Sequence, residues 1–388
     1  MISFNEALNT VLNAATTTEK VQCPLEDCQG RVLAEDIRSD MNMPPFNKSA
    51  VDGFAYRNGD LSPRIIETIP AGTVPQHSIG PGECARIMTG AMVPEGADKV
   101  IMVEFTGETD DGRIICNKEE IATNICYRGE DIRKGDLVLS AGTLIGPTQI
   151  AVLASVGATS PKVWAQSQVA IISTGDELVV PEQKPGPGMI RNSNSAQLIA
   201  QVKRIGIHTL DLGIARDTEK DLFKIIEEGL DRADVILLTG GVSMGTFDYV
   251  PAVMQKAGIE ILFKSIAIQP GRPTVFGRKG DKYVFGLPGN PVSSFVLFEL
   301  LVKPFLYQLM GHDYHAPMTC LPMGETYTRN KSERKSILPV TIRENHIFQV
   351  DYHGSAHIHS YINANGLVAI EIGNTQLRKG ELVDVRLL

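Results

Sequence analysis

The stretch that decides the fold reads Asp234-Val-Ile-Leu-Leu-Thr-Gly-Gly-Val-Ser-Met-Gly-Thr-Phe-Asp248. Its apolar run, Val235 to Leu238, is far too short to cross a membrane and suits a strand buried in a parallel sheet. The run stops at Thr239-Gly240-Gly241, and paired glycines at the carboxyl end of such a strand let backbone N–H groups converge on an anion. Asp234 and Asp248 flank the segment. Two carboxylates beside an anion loop point to a phosphorylated ligand held with Mg²⁺, which prefers carboxylate and phosphate oxygens. The competing reading is a strand closed by a plain glycine turn.

The flanking sequence repeats the pattern. Gln168-Val-Ala-Ile-Ile-Ser173 reads as a strand, followed by the loop Thr174-Gly-Asp-Glu-Leu178. Asn192-Ser-Asn194 caps a helix carrying Leu198, Ile199, Val202 and Ile205, stopped by Gly206. His208–Leu212 is the next strand, and Asp217 or Thr218 caps a helix with Leu222, Ile225, Ile226 and Leu230 on one side. After the opening stretch come a helix over 250–257 and a β-like run, Ile259–Ile268, that leads into Gln269-Pro-Gly-Arg-Pro273. A buried strand, Tyr283–Leu287, then ends in Pro288-Gly-Asn-Pro-Val-Ser-Ser294. There Asn290 is the N-cap and Pro291 the first residue of an apolar helix running to about Leu309, kinked near Pro304. This alternation predicts a doubly wound α/β domain, and the last helix offers an anion site at its N-terminus. Lys264, Arg272, Arg278, Lys279 and Lys282 face one acid, Asp281, across a short segment. Arg272, between Gly271 and Pro273 in a rigid loop, is the strongest anion contact; a solvated hairpin competes for Arg278–Lys282.

On either side the texture is different. Residues 3–15 read as an amphipathic helix with a Ser3/Glu6 capping box. From Gly30 to about Leu144, short β-like runs such as Arg64–Ile69 and Lys99–Glu104 are broken by glycine and proline. Two loops there crowd polar groups: Met43 to Ala55, with Asn47, Lys48, Ser49 and Asp52, and Arg86 to Asp98, with a Thr-Gly pair. Beyond Gly311 the chain returns to short strands. His353, His357 and His359 invite a metal reading, disfavoured for want of carboxylate or thiol neighbours.

The composition narrows the class. The chain has 388 residues, 43% hydrophobic and 21% charged, with a formal charge of −8. That balance excludes a nucleic-acid binder relying on a broad basic surface. The six cysteines form no CxxC pair, so a structural zinc site is not expected and free thiols in a cytoplasmic setting are. No signal peptide or membrane span is expected.

Seven motifs in order carry a resemblance. They are Pro44-Pro-Phe-Asn-Lys-Ser-Ala-Val-Asp-Gly-Phe-Ala55, Met88-Thr-Gly-Ala91 with Val93-Pro-Glu-Gly-Ala-Asp98, Arg128-Gly-Glu-Asp-Ile132 and Ser173-Thr-Gly-Asp-Glu-Leu178, then Thr239-Gly-Gly-Val-Ser243, Pro270-Gly-Arg-Pro273 and Gly286-Leu-Pro-Gly-Asn-Pro-Val-Ser-Ser294. Over essentially its full length the chain resembles the molybdopterin molybdenumtransferases of the MoeA family, whose relatives include the gephyrin C-terminal domain. The resemblance implies a multidomain fold: a central doubly wound α/β (MoaB/Mog-like) domain, a β-rich N-terminal half and a small C-terminal β-barrel-like domain. The boundaries it implies are 1–19 with 39–45 and 135–165 for a linker and dimer domain, 20–38 with 46–134 for a β-rich insert, 166–313 and 314–388. It implies insertion of molybdate into adenylylated molybdopterin with release of AMP, assisted by Mg²⁺, in a cytoplasmic homodimer that also contacts molybdopterin adenylyltransferase. No nucleic-acid or membrane partner is expected. Asp52, Asp131, Glu177, Asp234 and Asp248 match catalytic positions, with Asp234 and Asp248 as metal ligands. Thr89, Arg272, Pro273, Ser293, Arg334 and Ser355 match substrate contacts, and the anion-loop reading of the residues adds Thr239, Gly240, Gly241, Ser243, Pro288 and Asn290, with Lys264 from the basic segment. Many relatives carry lysines where this chain has Ser265, Gln269 and Arg272, and Lys264 is placed to substitute for one of them. The alternatives are adenylylation of molybdopterin and a non-catalytic dimeric scaffold of the same fold.

Overall fold

The computed structural model describes residues 1–118, 121–242, 249–351, 354 and 356–388. At its centre lies a six-stranded sheet built from β1 (Val169–Thr174), β2 (Thr209–Ala215), β3 (Val235–Thr239), β4 (Glu260–Phe263), β5 (Val275–Lys279) and β6 (Lys282–Leu287). Its spatial order is β2-β1-β3-β6-β5-β4, with the first four strands parallel and β5 antiparallel to both neighbours. Every residue of β1 and β3 is buried, as a strand covered on both faces requires. The covering helices are α1 (Ser193–Arg204), α2 (Glu219–Arg232), α3 (Val250–Lys256) and α4 (Pro291–Leu309).

Caps and stops fall where the sequence places them. Asn192 accepts from Ser195 N and caps α1, while Thr218 accepts from Asp221 N and is the cap of α2. Helix α4 is long and apolar enough to cross a membrane, yet 83% of that window is buried inside the protein, so it is a core helix. It organises the largest apolar cluster with Phe276, Phe285 and Phe305, against which the N-terminal helix Phe4–Ala14 sets Ala7, Val11 and Ala14.

Two elements differ from the sequence reading. The sheet is mixed, because Gly280-Asp281 closes β5 and β6 into a tight hairpin with Lys279 opposite Lys282. The run Ile259–Ile268 also splits. Ile2 takes its middle through Ile2 N–Ser265 O (3.2 Å) and Ala267 N–Ile2 O (2.8 Å). Ile268–Gln269 then leaves the central sheet and pairs with Lys335–Ser336.

The N-terminal half carries a four-stranded sheet, ordered Arg64–Ile69, Glu83–Ile87, Gly53–Tyr56 and Lys99–Met102. Beyond α4, the sheet containing Lys335–Arg343, Gly366–Ile370, Leu382–Leu387 and Met318–Pro322 has its own core around Val340, Ile347 and Val385.

Candidate functional site

In an open α/β sheet, ligands settle at the carboxyl ends of the strands where the strand order reverses. Here that point lies between β1 and β3, and three strand ends are drawn together there. Gly240 has φ +95°, and a Cβ on it would lie 2.3 Å from Thr174 O. Gly241 has φ +60°, and its Cβ would lie 2.9 Å from Val250 Cγ2, so both glycines are sterically required. A Cβ on Gly289, beyond β6, would sit 3.7 Å from Gly240 Cα. The Gly240 N–H donates to Leu287 O at 3.0 Å, so it joins β3 to β6 and is not a donor for an anion.

Beneath the loops lies a buried hydroxyl web. Ser173 Oγ meets Ser195 Oγ at 2.8 Å, Thr239 Oγ1 at 3.0 Å and Asn192 Oδ1 at 3.1 Å. Thr239 is 1% exposed. Its hydroxyl is therefore an interior strut holding β3 to β1, which corrects its expected role as a substrate contact. Asn194 Nδ2 donates to Gly289 O at 2.7 Å and anchors the Pro288–Asn290 loop on the first turn of α1. Ser293 is buried in the first turn of α4, Pro288 is buried, and Asn290 is exposed beside it.

The acids divide between the two edges of the sheet. Asp176 and Glu177 follow β1 at the carboxyl edge, both exposed. Asp217 occupies the equivalent place after β2: Thr174 Oγ1 donates to its Oδ1, and its N–H donates to Asp176 Oδ1 at 3.3 Å. In the sequence Asp217 reads only as a helix-cap candidate beside Thr218. The available signal was its spacing, since both Asp176 and Asp217 are the second residue past a strand end.

Asp234 is at the other edge. It precedes β3, whose first residue pairs with Val169 and Tyr283 at the amino ends of β1 and β6. Its carboxylate accepts from Gln168 N at 2.9 Å and meets Lys282 Nζ at 3.1 Å. Five residues of strand, about 16 Å at ~3.3 Å each, separate it from the glycine loop. Asp234 is thus a brace at the amino edge, which corrects its expected catalytic and metal-binding roles. Asp248, Ser243 and Ser355 lie outside the described residues. Among the described residues no three His, Cys, Asp or Glu side chains gather as a metal cage, and all six cysteines are free.

A second loop rides on α4. Gly271 has φ +110°, and its Cβ would meet Leu297 Cδ1 at 2.8 Å, so only glycine lets Gln269–Pro273 lie on the helix. Thr274 Oγ1, fully buried, clamps Gly271 O at 2.6 Å. Arg272 and Lys264 are exposed and Pro273 is half-buried. Arg334, in the bend just before the C-terminal strand Lys335–Arg343, sets its Nη2 3.5 Å from Gln269 Oε1, so the chain's last unit does reach this loop. The hairpin cations serve otherwise: Arg278 pairs with Glu260, Lys279 with Glu227 and Lys282 with Asp234.

The N-terminal half gathers a third group. Asp52 Oδ1 accepts both the Thr89 hydroxyl (2.7 Å) and the Thr89 N–H (2.6 Å). Those bonds, the hydroxyl first, hold the Asp52 carboxyl below its ordinary value. Beside it Arg128 N donates to Asn47 Oδ1 at 2.9 Å and Asp131 N donates to Met43 O at 3.1 Å, bringing exposed Asp131 alongside the Pro44–Asp52 loop.

Comparison with known proteins agrees across the chain. Residues 2–157 match the family description "MoeA N-terminal region (domain I and II)", 170–308 match "Probable molybdopterin binding domain", and 325–388 match "MoeA C-terminal region (domain IV)". A molybdopterin molybdenumtransferase of Staphylococcus epidermidis is 33% identical over 99% of this chain and 95% of its own. One from Staphylococcus aureus is 38% identical over 80% of this chain and 76% of its own. A crystal structure of the molybdopterin biosynthesis MoeA protein from Pyrococcus horikoshii superposes with a TM-score of 0.87 at 28% identity, covering 100% of both chains. Another superposes at 0.82 and 33% identity, covering 100% of this chain and 99% of the other.

Proposed function

Because the chain belongs to the MoeA family, we infer that it is a molybdopterin molybdenumtransferase, an enzyme of molybdenum cofactor biosynthesis that inserts molybdenum supplied as molybdate. The observation that carries the reading is the convergence of two loops on α4. The Pro288–Asn290 loop opens the helix at the sheet's carboxyl edge, and Gln269–Pro273 lies on it under Gly271 and Leu297. A phosphorylated pterin at the first and a tetrahedral oxyanion at the second would be neighbours.

The substrate proposed in full is adenylylated molybdopterin, and AMP leaves when its phosphoanhydride breaks. Such cleavage needs charge neutralisation and positioning more than a protein nucleophile. Mg²⁺ is commonly held by one or two carboxylates together with substrate phosphates, and the Asp176–Asp217 pair fits that donor set. The ion would neutralise pyrophosphate charge. Glu177 stands beside the pair, and Arg272, Lys264 and Arg334 supply the cations for the oxyanion. Asp52, Thr89 and Asp131 are proposed to complete the site from a second copy of the chain in a homodimer, since they stand on a separate sheet. Contact with molybdopterin adenylyltransferase would deliver the substrate. Six free thiols are in keeping with a reducing cytoplasm. The alternatives, adenylylation and a non-catalytic scaffold, are not favoured, because relatives matched over nearly the whole chain carry the transferase name.

The direct test supplies purified protein with adenylylated molybdopterin, Mg²⁺ and molybdate, and follows AMP release and metal insertion. AMP no higher than in buffer overturns the reading. Mixing Asp52→Ala with Asp217→Ala protein tests the shared site: activity in the mixture that neither variant shows alone is expected, and its absence removes the cross-copy arrangement.

A further inference from the structure

Helix α4 contains an irregularity with a cause in its sequence. Over Phe298–Val302 it widens into a π turn, where the Lys303 N–H reaches back five residues to the Phe298 carbonyl. In that register the Glu299 carbonyl would receive the N–H of residue 304. Residue 304 is proline and has none. The ordinary helical partner of that carbonyl, the Lys303 N–H, is already committed to Phe298. The helix therefore exposes one backbone acceptor in a segment whose residues are all buried, and a buried acceptor needs a donor from elsewhere.

The donor comes from the far end of the chain. Arg386 Nη2 donates to Glu299 O. Arg386 lies on the strand Leu382–Leu387, which pairs with Met318–Pro322 and Gly366–Ile370 in the C-terminal sheet. Around it the junction is fully furnished. The Glu299 carboxylate, 1% exposed, meets Arg204 Nη2 at 2.8 Å, Gln201 Nε2 at 3.0 Å and Lys303 Nζ at 3.1 Å. Tyr314, in the connection after α4, stacks on Tyr307 at 4.8 Å, with Lys303 Nζ at 5.1 Å and Arg386 Cζ at 5.8 Å from its ring. Burial lowers the pKa of Arg386, opposed by Tyr314 and Glu299.

The same sheet presents Arg334 to the anion loop. Lys335, the next residue, begins the strand Lys335–Arg343, and its N–H donates to Ala267 O at 3.0 Å. That strand pairs with Gly366–Ile370, the neighbour of Arg386's strand. A shift of the sheet on α4 therefore moves both arginines.

We propose that Arg386 is a positioning residue: by filling the carbonyl that the π turn and Pro304 leave without a donor, it fixes the C-terminal sheet on α4 and keeps Arg334 beside Gln269. The inference rests on the reading of Arg334 and Gln269–Pro273 as the oxyanion subsite.

Variants of the full-length enzyme test it. Arg386→Ala removes the donor, Arg386→Lys keeps a cationic one, and Arg386→Ala with Pro304→Ala returns an N–H to α4 beneath the Glu299 carbonyl. Hydrogen exchange of the Lys335 amide reports docking of the sheet, and the half-saturating molybdate concentration reports the subsite. In Arg386→Ala, Lys335 exchange should rise by about tenfold or more as the junction opens locally. Half-saturation should rise by about tenfold with kcat at saturating molybdate within about twofold, the pattern of lost binding without lost chemistry. Arg386→Lys should recover most of both effects. The double variant should recover the melting temperature and neither of them. Unchanged Lys335 exchange in Arg386→Ala overturns the proposal. So does recovery of exchange and half-saturation in the double variant, since Arg386 would then serve only to satisfy one carbonyl. The underlying reading fails separately: an unchanged half-saturation in Arg334→Ala removes Arg334 from the subsite, and Lys335 exchange alone then decides the docking role.

Discussion

The two edges of the central sheet carry similar residues with opposite meaning. At the carboxyl edge, Asp217 takes the Thr174 hydroxyl and gives its N–H to Asp176, beside glycines that allow three strand ends to meet. At the amino edge, Asp234 takes the Gln168 N–H and the Lys282 ammonium, closing the start of β3 against β1 and β6. Both are aspartates at an end of a strand of the central sheet, Asp217 beyond β2 and Asp234 before β3. Only one faces the point where strand order reverses, and in this architecture that face is where ligands bind.

The contrast is tested most severely at Asp217. Asp217→Ala is expected to lower AMP release by about 10²-fold, the scale of losing one group that stabilises charge in a closed site. Its stability should fall by only about 1–3 kcal/mol, the cost of leaving the buried Thr174 hydroxyl without its acceptor, so the protein stays folded in the assay. Turnover within twofold of the parent would make Asp217 another brace and erase the distinction. Next in size is Gly240→Ala. Its Cβ would sit 2.3 Å from Thr174 O at φ +95°, which should cost about 2–4 kcal/mol by strain and clash. A urea midpoint equal to the parent's would mean the strand ends are not packed as described.

The hydroxyl web below the crevice gives an intermediate effect. Thr239→Val keeps the shape of a residue that is 1% exposed but removes one partner of Ser173 Oγ. Ser173 retains Ser195 and Asn192, so the expected loss is about 1 kcal/mol, near the net worth of one hydrogen bond. The half-saturating concentration of adenylylated molybdopterin should be unaltered. A large rise there with normal stability would return Thr239 to the ligand.

These cases show where sequence was informative. Strand and helix positions followed from burial and capping chemistry: Val235–Thr239 had to be covered on both faces, Asn192 opens α1, and of the two cap candidates for α2, Asp217 and Thr218, it is Thr218 that caps. The mixed half of the sheet was harder, because the charged residues of Arg278–Lys282 read equally as a ligand patch or as a hairpin with ion pairs to Glu260, Glu227 and Asp234. The misplacement of Asp234 has one cause. Nearness in sequence to Thr239-Gly240-Gly241 counted as nearness in space, whereas a strand carries its two ends to opposite faces of the sheet. Asp217 is 22 residues before Thr239 yet shares its edge, because β2 and β3 both run parallel to β1. Arg334 needed the C-terminal sheet to return to Gln269, a contact no local pattern encodes.

The smallest expected effect is at the amino edge itself. The Asp234 and Lys282 side chains are 42% and 37% exposed, so water and salt screen their attraction and the pair adds little, ~0–1 kcal/mol. The bond from Gln168 N is worth about as much again. Asp234→Asn keeps an oxygen for Gln168 N and loses the charge facing Lys282. It should lower stability by less than about 1 kcal/mol, an effect that shrinks further in 0.5 M salt if Coulombic attraction is its source. AMP release should be indistinguishable from the parent at any Mg²⁺ concentration. A shifted Mg²⁺ dependence in this variant would place a cation within reach of the amino edge, and the division of labour between the two edges would then be wrong. If instead only the salt-sensitive stability term moves, Asp234 owes its place to holding the start of β3, and the chemistry belongs to the residues beyond the strand's other end.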